Sequence, residues 1–132
     1  RVMYVAFGIG RYYANHELTH ARNRMADYVG RLLPRRQVVV KGPRSLEVTV
    51  WRQATPERLI IHLANRTPLA HDMPRIQEVL PLRDVEIEFA SPYAEPRVSC
   101  RGAEGVVSVD GGRVRVRLSE MLEYAAVVVE GR

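Results

Sequence analysis

SLEVTVWRQ (residues 45–53), followed by the turn signal Thr55-Pro56-Glu57-Arg58 and by LIIHLA (59–64), is the stretch on which the fold turns. Its side chains alternate: Leu46, Val48 and Val50 share one face, and Glu47, Thr49 and Trp51 share the other. A period of two describes a half-buried strand and cannot lay one apolar stripe along a helix. Pro56 stands where a type I turn favours proline, so Thr55–Arg58 is expected to be that turn. Residues 45–64 therefore predict a β-hairpin.

The same period continues toward the C-terminus. In DVEIEF (84–89), Val85, Ile87 and Phe89 face one way, and Asp84, Glu86 and Glu88 the other. Arg113, Arg115 and Arg117 form a matching basic row in RVRVRL (113–118). If the two segments are neighbours, the rows pair across them, each contact being worth a few tenths of a kcal/mol. VVSV (106–109) leads into Asp110-Gly111-Gly112, a strong hairpin signal. Residues 37–41, 97–101 and 124–130 supply further short strands, and the polar, proline-containing stretch 65–81 is expected to be a loop. Seven or eight strands at this spacing predict an antiparallel two-sheet β-sandwich. Leu46, Val48, Val50, Leu59, Ile61, Leu63, Val85, Ile87, Val114 and Val116 are expected inside.

Before Pro34 the period is 3.6. Leu18, Ala21, Met25, Val29 and Leu32 fall on one stripe of a helix expected over 17–33. Asn15 is placed to cap it, and Pro34 to stop it. VMYVAF (2–7) is a continuous apolar run of the kind found in strands covered on both faces. A 34-residue strand–helix piece is smaller than the roughly 40 residues at which domains usually fold alone. It reads as the last unit of a doubly wound α/β domain. The expected organisation is thus 1–34, the end of an α/β domain, and 35–132, a sandwich: mainly β, α+β in total. The start at Arg1 reads as a cut through a longer polypeptide. A strand at 2–7 without its sheet would recruit another chain, so a homo-oligomer through residues 1–33, or docking of this segment on its own sandwich, is expected.

Composition sets bounds. With 46% hydrophobic and 27% charged residues the chain is an ordinary globular protein. No apolar run reaches the roughly 18–20 residues that span a bilayer, so no membrane partner is expected. Cys100 is the single cysteine. It excludes an intrachain disulfide or a cysteine metal cage, and it points to a reducing, cytoplasmic compartment. The net charge is +5, but the arginine row lacks interleaved aromatics and acids surround it, so nucleic acid is not expected.

Few motifs carry chemistry. His16-Glu17-Leu18-Thr19-His20 matches H-E-x-x-H. On a helix such spacing puts two imidazoles on one face for zinc, with Glu17 as general base. The motif lies in the helix's first turn, however, and the apolar stripe runs through it. Asn23 and Ala26 occupy the positions where the extended motif needs glycine and histidine. No cofactor is expected. Gly8-Ile9-Gly10 begins a dinucleotide-type loop, but Tyr13 stands at the third glycine position. Asn65-Arg66-Thr67 fits a glycosylation sequon and is read as a loop asparagine. Trp51, on the polar face of its strand, can stack on a sugar ring or pack against another domain.

Several stretches together resemble a known pattern. They are VMYVAFGIGRYY (2–13), HARNRMADYVGRLLP (20–34), LEVTVWRQ (46–53) with RLIIHLANRT (58–67), EVLPLRDVEIEF (78–89) and RVRVRLSEMLEYAAVVVE (113–130). They resemble the C-terminal end of bacterial multidomain glycoside hydrolases. These have a fucosidase-like (β/α)8 barrel, then a glutamine-amidotransferase-like domain similar to the β-galactosidase trimerisation domain, then a β-sandwich. The most specific stretches are Trp51-Arg52-Gln53 to His62-Leu63-Ala64-Asn65, and Pro81 to Ile87. The resemblance implies that the catalytic carboxylates lie upstream, in a barrel outside this chain. Residues 1–34 would end the amidotransferase-like domain, and 35–132 would be the terminal sandwich. The chain would be a non-catalytic accessory region whose partners are the upstream domains of its own polypeptide. Two alternatives stand beside it: a zinc-dependent hydrolase using His16, Glu17 and His20, and a carbohydrate-binding module using Trp51.

Overall fold

The computed structural model describes residues 19–33, 36–66 and 79–131. The chain divides into two compact units, 1–36 and 37–132. In the first, α1 (Thr19–Leu32) carries the expected 3.6-residue pattern. Ala21 is buried and Met25 and Leu32 are half-buried, but Val29 on the same stripe is exposed. An Asp27–Arg31 pair, one turn apart at 3.4 Å, braces the outer side. The strand expected at 2–7, the cap expected at Asn15 and the stop at Pro34 lie outside the described residues.

The second unit is the expected sandwich. Its strands are β1 (Val38–Lys41), β2 (Leu46–Ala54), β3 (Glu57–Asn65), β4 (Leu82–Ala90), β5 (Pro96–Arg101), β6 (Gly105–Asp110), β7 (Arg113–Met121) and β8 (Tyr124–Gly131). They form two four-stranded sheets, ordered β1-β4-β7-β6 and β2-β3-β8-β5. Every pairing is antiparallel. The alternation seen in the sequence becomes an inner and an outer face on each sheet. One apolar cluster lies between the sheets and draws mainly on β3, β4, β7 and β8, the two central strands of each. Leu59, Ile61, Leu63, Val85, Ile87, Val114 and Val116 are buried in it, as expected.

Three details depart from the sequence expectation. Val50 is 41% exposed rather than inside, because β2 is an edge strand with a neighbour on one side only. The hairpin turn is shorter than four residues beyond the strand. Ala54 pairs directly with Glu57, which leaves only Thr55 and Pro56, joined by a cis peptide bond, to make the turn. At Asp84 the alternation slips. Leu82 and Val85 both point inward, and so do their partners Met121 and Leu118. The two strands change phase together, and Asp84 takes φ +53° at the slip.

Candidate functional site

The pairing of β2, β3 and β8 decides which side chains meet on the outer face of the second sheet. Trp51 sits opposite Ile60, Thr49 opposite His62, His62 opposite Ala126, and Ala64 opposite Tyr124. Trp51, His62 and Tyr124 therefore occupy a diagonal, one ring per strand, each step moving one strand over and two residues along. Diagonal neighbours at this offset are within reach of aromatic side chains. The indole and imidazole centroids are 6.4 Å apart in an edge-to-face arrangement. The imidazole and phenol centroids are 5.8 Å apart, with planes tilted by 37°. His62 Nδ1 and the Tyr124 hydroxyl are hydrogen-bonded. In the tautomer with its proton on Nε2, the imidazole accepts this bond and the phenol donates it.

Trp51 is 63% exposed and Tyr124 46% exposed, while His62 is half-buried between them. Ile60, Ala64 and Val128 are half-buried, and Ala126 is buried, so the ground between the rings is apolar. In YAAVVVE (124–130), Ala125, Val127 and Val129 fill the core while Ala126 and Val128 supply this outer ground, so the strand reads as a nearly continuous apolar run. Two ion pairs border the face, Arg58 with Glu130 at 3.5 Å and Arg66 with Glu47 at 3.0 Å, and Arg97 and Arg101 lie exposed along β5.

Trp51 is the one sequence-nominated site residue that the structure brings into a cluster. His62 and Tyr124 were not joined to it by sequence reasoning. The signal that could have found them is the register: once Ala54 is paired with Glu57, residues 51, 62 and 124 must share a face. Of the zinc motif, His16 and Glu17 lie outside the described residues, and His20 is exposed at the start of α1. Among the described residues no three His, Cys, Asp or Glu side chains gather as a metal site would require.

The outer face of the first sheet carries the expected charge rows. Arg113 and Arg115 hold Glu88 at 2.6 and 3.2 Å, and Arg117 and Lys41 hold Glu86 at 2.9 and 3.7 Å. Hydrogen bonds from Arg115 and then Arg113 keep the Glu88 carboxyl below its ordinary pKa. The Glu88 carboxylate is thus tied down as an anion, unsuited to shuttling protons. A cleft of about 270 Å³ lies beside Asp84, Glu104, Val106, Arg117 and Ser119, but the guanidinium in its wall is already engaged by Glu86. Cys100 faces inward opposite Val127, and burial pushes its thiol pKa up. That is the opposite of what a nucleophilic cysteine needs. No helix among the described residues is long and apolar enough to cross a membrane.

No protein-family model matches the chain, and no curated protein matches it. Among solved structures, it is similar to alpha-L-fucosidase isoenzyme 2 from Paenibacillus thiaminolyticus, with 25% sequence identity and a TM-score of 0.80. The match covers 96% of this chain, more than the sandwich alone occupies, and 20% of the fucosidase chain. The chain thus spans about one fifth of the length of the enzyme it is similar to.

Proposed function

We propose that this chain is a non-catalytic accessory region of a glycoside hydrolase that acts on α-L-fucosides, and that it lies at the C-terminal end of its parent. The observation that carries this reading is the match to a fucosidase across nearly the whole chain but only a fifth of the enzyme. A region of that size, built as a sandwich, leaves the greater part of such an enzyme to other domains. The described residues agree with a role outside the chemistry. Glu86 and Glu88 are locked in ion pairs, and the imidazole of His62 is engaged by Tyr124. Retaining and inverting glycosidases both need two carboxyl groups free to face one glycosidic bond. In this reading residues 1–34 close an amidotransferase-like α/β domain, and that domain, through self-association, makes the parent an oligomer.

The test compares two proteins on p-nitrophenyl α-L-fucoside. The chain alone is expected to release no nitrophenol above the buffer rate, and the parent polypeptide is expected to hydrolyse the substrate. Hydrolysis by the chain alone, abolished by a single carboxylate substitution within it, would overturn the accessory reading. An inactive parent would overturn the fucosidase reading.

A further inference from the structure

We infer that the diagonal Trp51–His62–Tyr124 is a binding platform for a neutral oligosaccharide. The inference rests on the reading above, that the parent works on glycans. A sugar presents two kinds of surface, patches of C–H groups and a girdle of hydroxyls. Its binding sites accordingly combine aromatic faces with a few placed polar groups. The diagonal offers both. Trp51 supplies a large ring, 63% exposed, and the apolar ground of Ile60, Ala126 and Val128 continues beside it. Polar atoms lie within the row itself: the His62–Tyr124 hydrogen bond sits between rings, and Thr49 is the cross-strand neighbour of His62. On the far strand, Ser99 lies opposite Val128 and Arg101 opposite Ala126, where they can donate to hydroxyls.

Two features favour a saccharide over a protein segment on this face. The apolar stripe of a docking helix would leave the imidazole and phenol polar atoms to face hydrocarbon, which is costly, whereas sugar hydroxyls satisfy them. Two of the bordering arginines are already paired, Arg58 with Glu130 and Arg66 with Glu47, and the ground between the three rings, Ile60, Ala64 and Ala126, is itself uncharged, so the rings do not call for an ion. The indole stands nearly perpendicular to the imidazole, at 85°, and is still 63% exposed, so most of its surface is open to a ligand.

Trp51 is the only tryptophan in the chain, so tryptophan emission, excited selectively over the six tyrosines, reports on this position alone. The full 132-residue chain is titrated with fucosyllactose, lactose and maltotetraose, with calorimetry in parallel. A saturable blue shift with at least one saccharide, matched by heat, is expected. Trp51→Ala should weaken that binding by about tenfold, the equivalent of about 1.4 kcal/mol. Trp51→Phe should restore part of it, and Tyr124→Phe should produce a smaller loss. Each variant is checked for an unchanged circular dichroism spectrum. Absence of any shift or heat overturns the platform, as does binding that Trp51→Ala leaves intact. If Trp51 instead becomes buried only in the full parent, and Trp51→Ala dissociates or destabilises that parent, the face is a domain contact and the inference fails. An active parent without saccharide binding by this chain removes the platform and leaves the proposed function standing; binding with an inactive parent does the reverse.

Discussion

Asn65 shows how far a single residue can depart from its motif. As part of Asn-Arg-Thr it reads as a glycosylation acceptor or a plain loop residue, but it is the last residue of β3. Its side-chain Nδ2 donates at 2.7 Å to the carbonyls of both Leu80 and Leu122. The nitrogen that a glycan would need is holding the approach to β4 against the β7–β8 turn. Asn65→Ala should cost about 1 kcal/mol, near the low end for two hydrogen bonds, because both carbonyls belong to exposed residues that water can reach; a urea midpoint unchanged from the parent chain would refute this role. Sequence could not reveal it, since the two carbonyls are 15 and 57 residues away. Glu88 is the opposite case, readable from the alternation alone. Its folded-state pKa is lowered by Arg115 and Arg113, so its contribution is present above the unfolded pKa and is lost as pH falls through the folded one. Glu88→Gln should therefore lower the thermal midpoint at neutral pH, and the gap between the two proteins should close as the solution is made acid. A gap that stays constant with pH would show that the pairs do not contribute.

At the scale of elements, strands and their faces were legible because a period of two survives any choice of partner. Partner choice was legible only where chemistry marked it. The acidic and basic rows announced β4 beside β7, whereas nothing in YAAVVVE announced that β8 lies between β3 and β5. That missing link is why Tyr124 was not joined to Trp51 before the register was known. Edge position was equally hidden, so Val50 was expected inside. Connections give a sharper test. Gly102 and Gly112 both adopt positive φ, +74° and +78°. A Cβ at Gly112 meets nothing within 4 Å, but one at Gly102 would lie 2.4 Å from the Tyr124 carbonyl oxygen. Gly112→Ala should therefore cost only the left-handed backbone penalty, about 1–2 kcal/mol. Gly102→Ala should cost clearly more, because backbone must move as well, and it should disturb the residue that carries one end of the aromatic diagonal. Equal losses for the two, read from denaturation midpoints, would show that the β5–β6 connection yields without cost.

The molecule as a whole poses a question of autonomy. Among the described residues, all eight strands and every member of the apolar cluster lie within 37–132. A piece of that size exceeds the roughly 40 residues below which domains usually need staples. Its core is closed by central strands buried between two sheets. A chain beginning at Gln37 should therefore fold without the first unit. It should show a β-type far-ultraviolet spectrum and one cooperative urea transition. The Trp51 emission is the discriminating signal, because the indole projects outward from β2 and takes no part in the core. If the aromatic diagonal belongs to the sandwich alone, the shortened chain should bind the same saccharide as the full one with the same affinity. Sedimentation of the two proteins side by side then isolates what residues 1–36 do. A full chain that self-associates, beside a monomeric shortened chain, would place the association surface in the first unit, as the continuous apolar sequence at 2–7 leads one to expect. A shortened chain that fails to unfold cooperatively would mean that the sandwich depends on the unit before it, and the two could no longer be treated as separate domains.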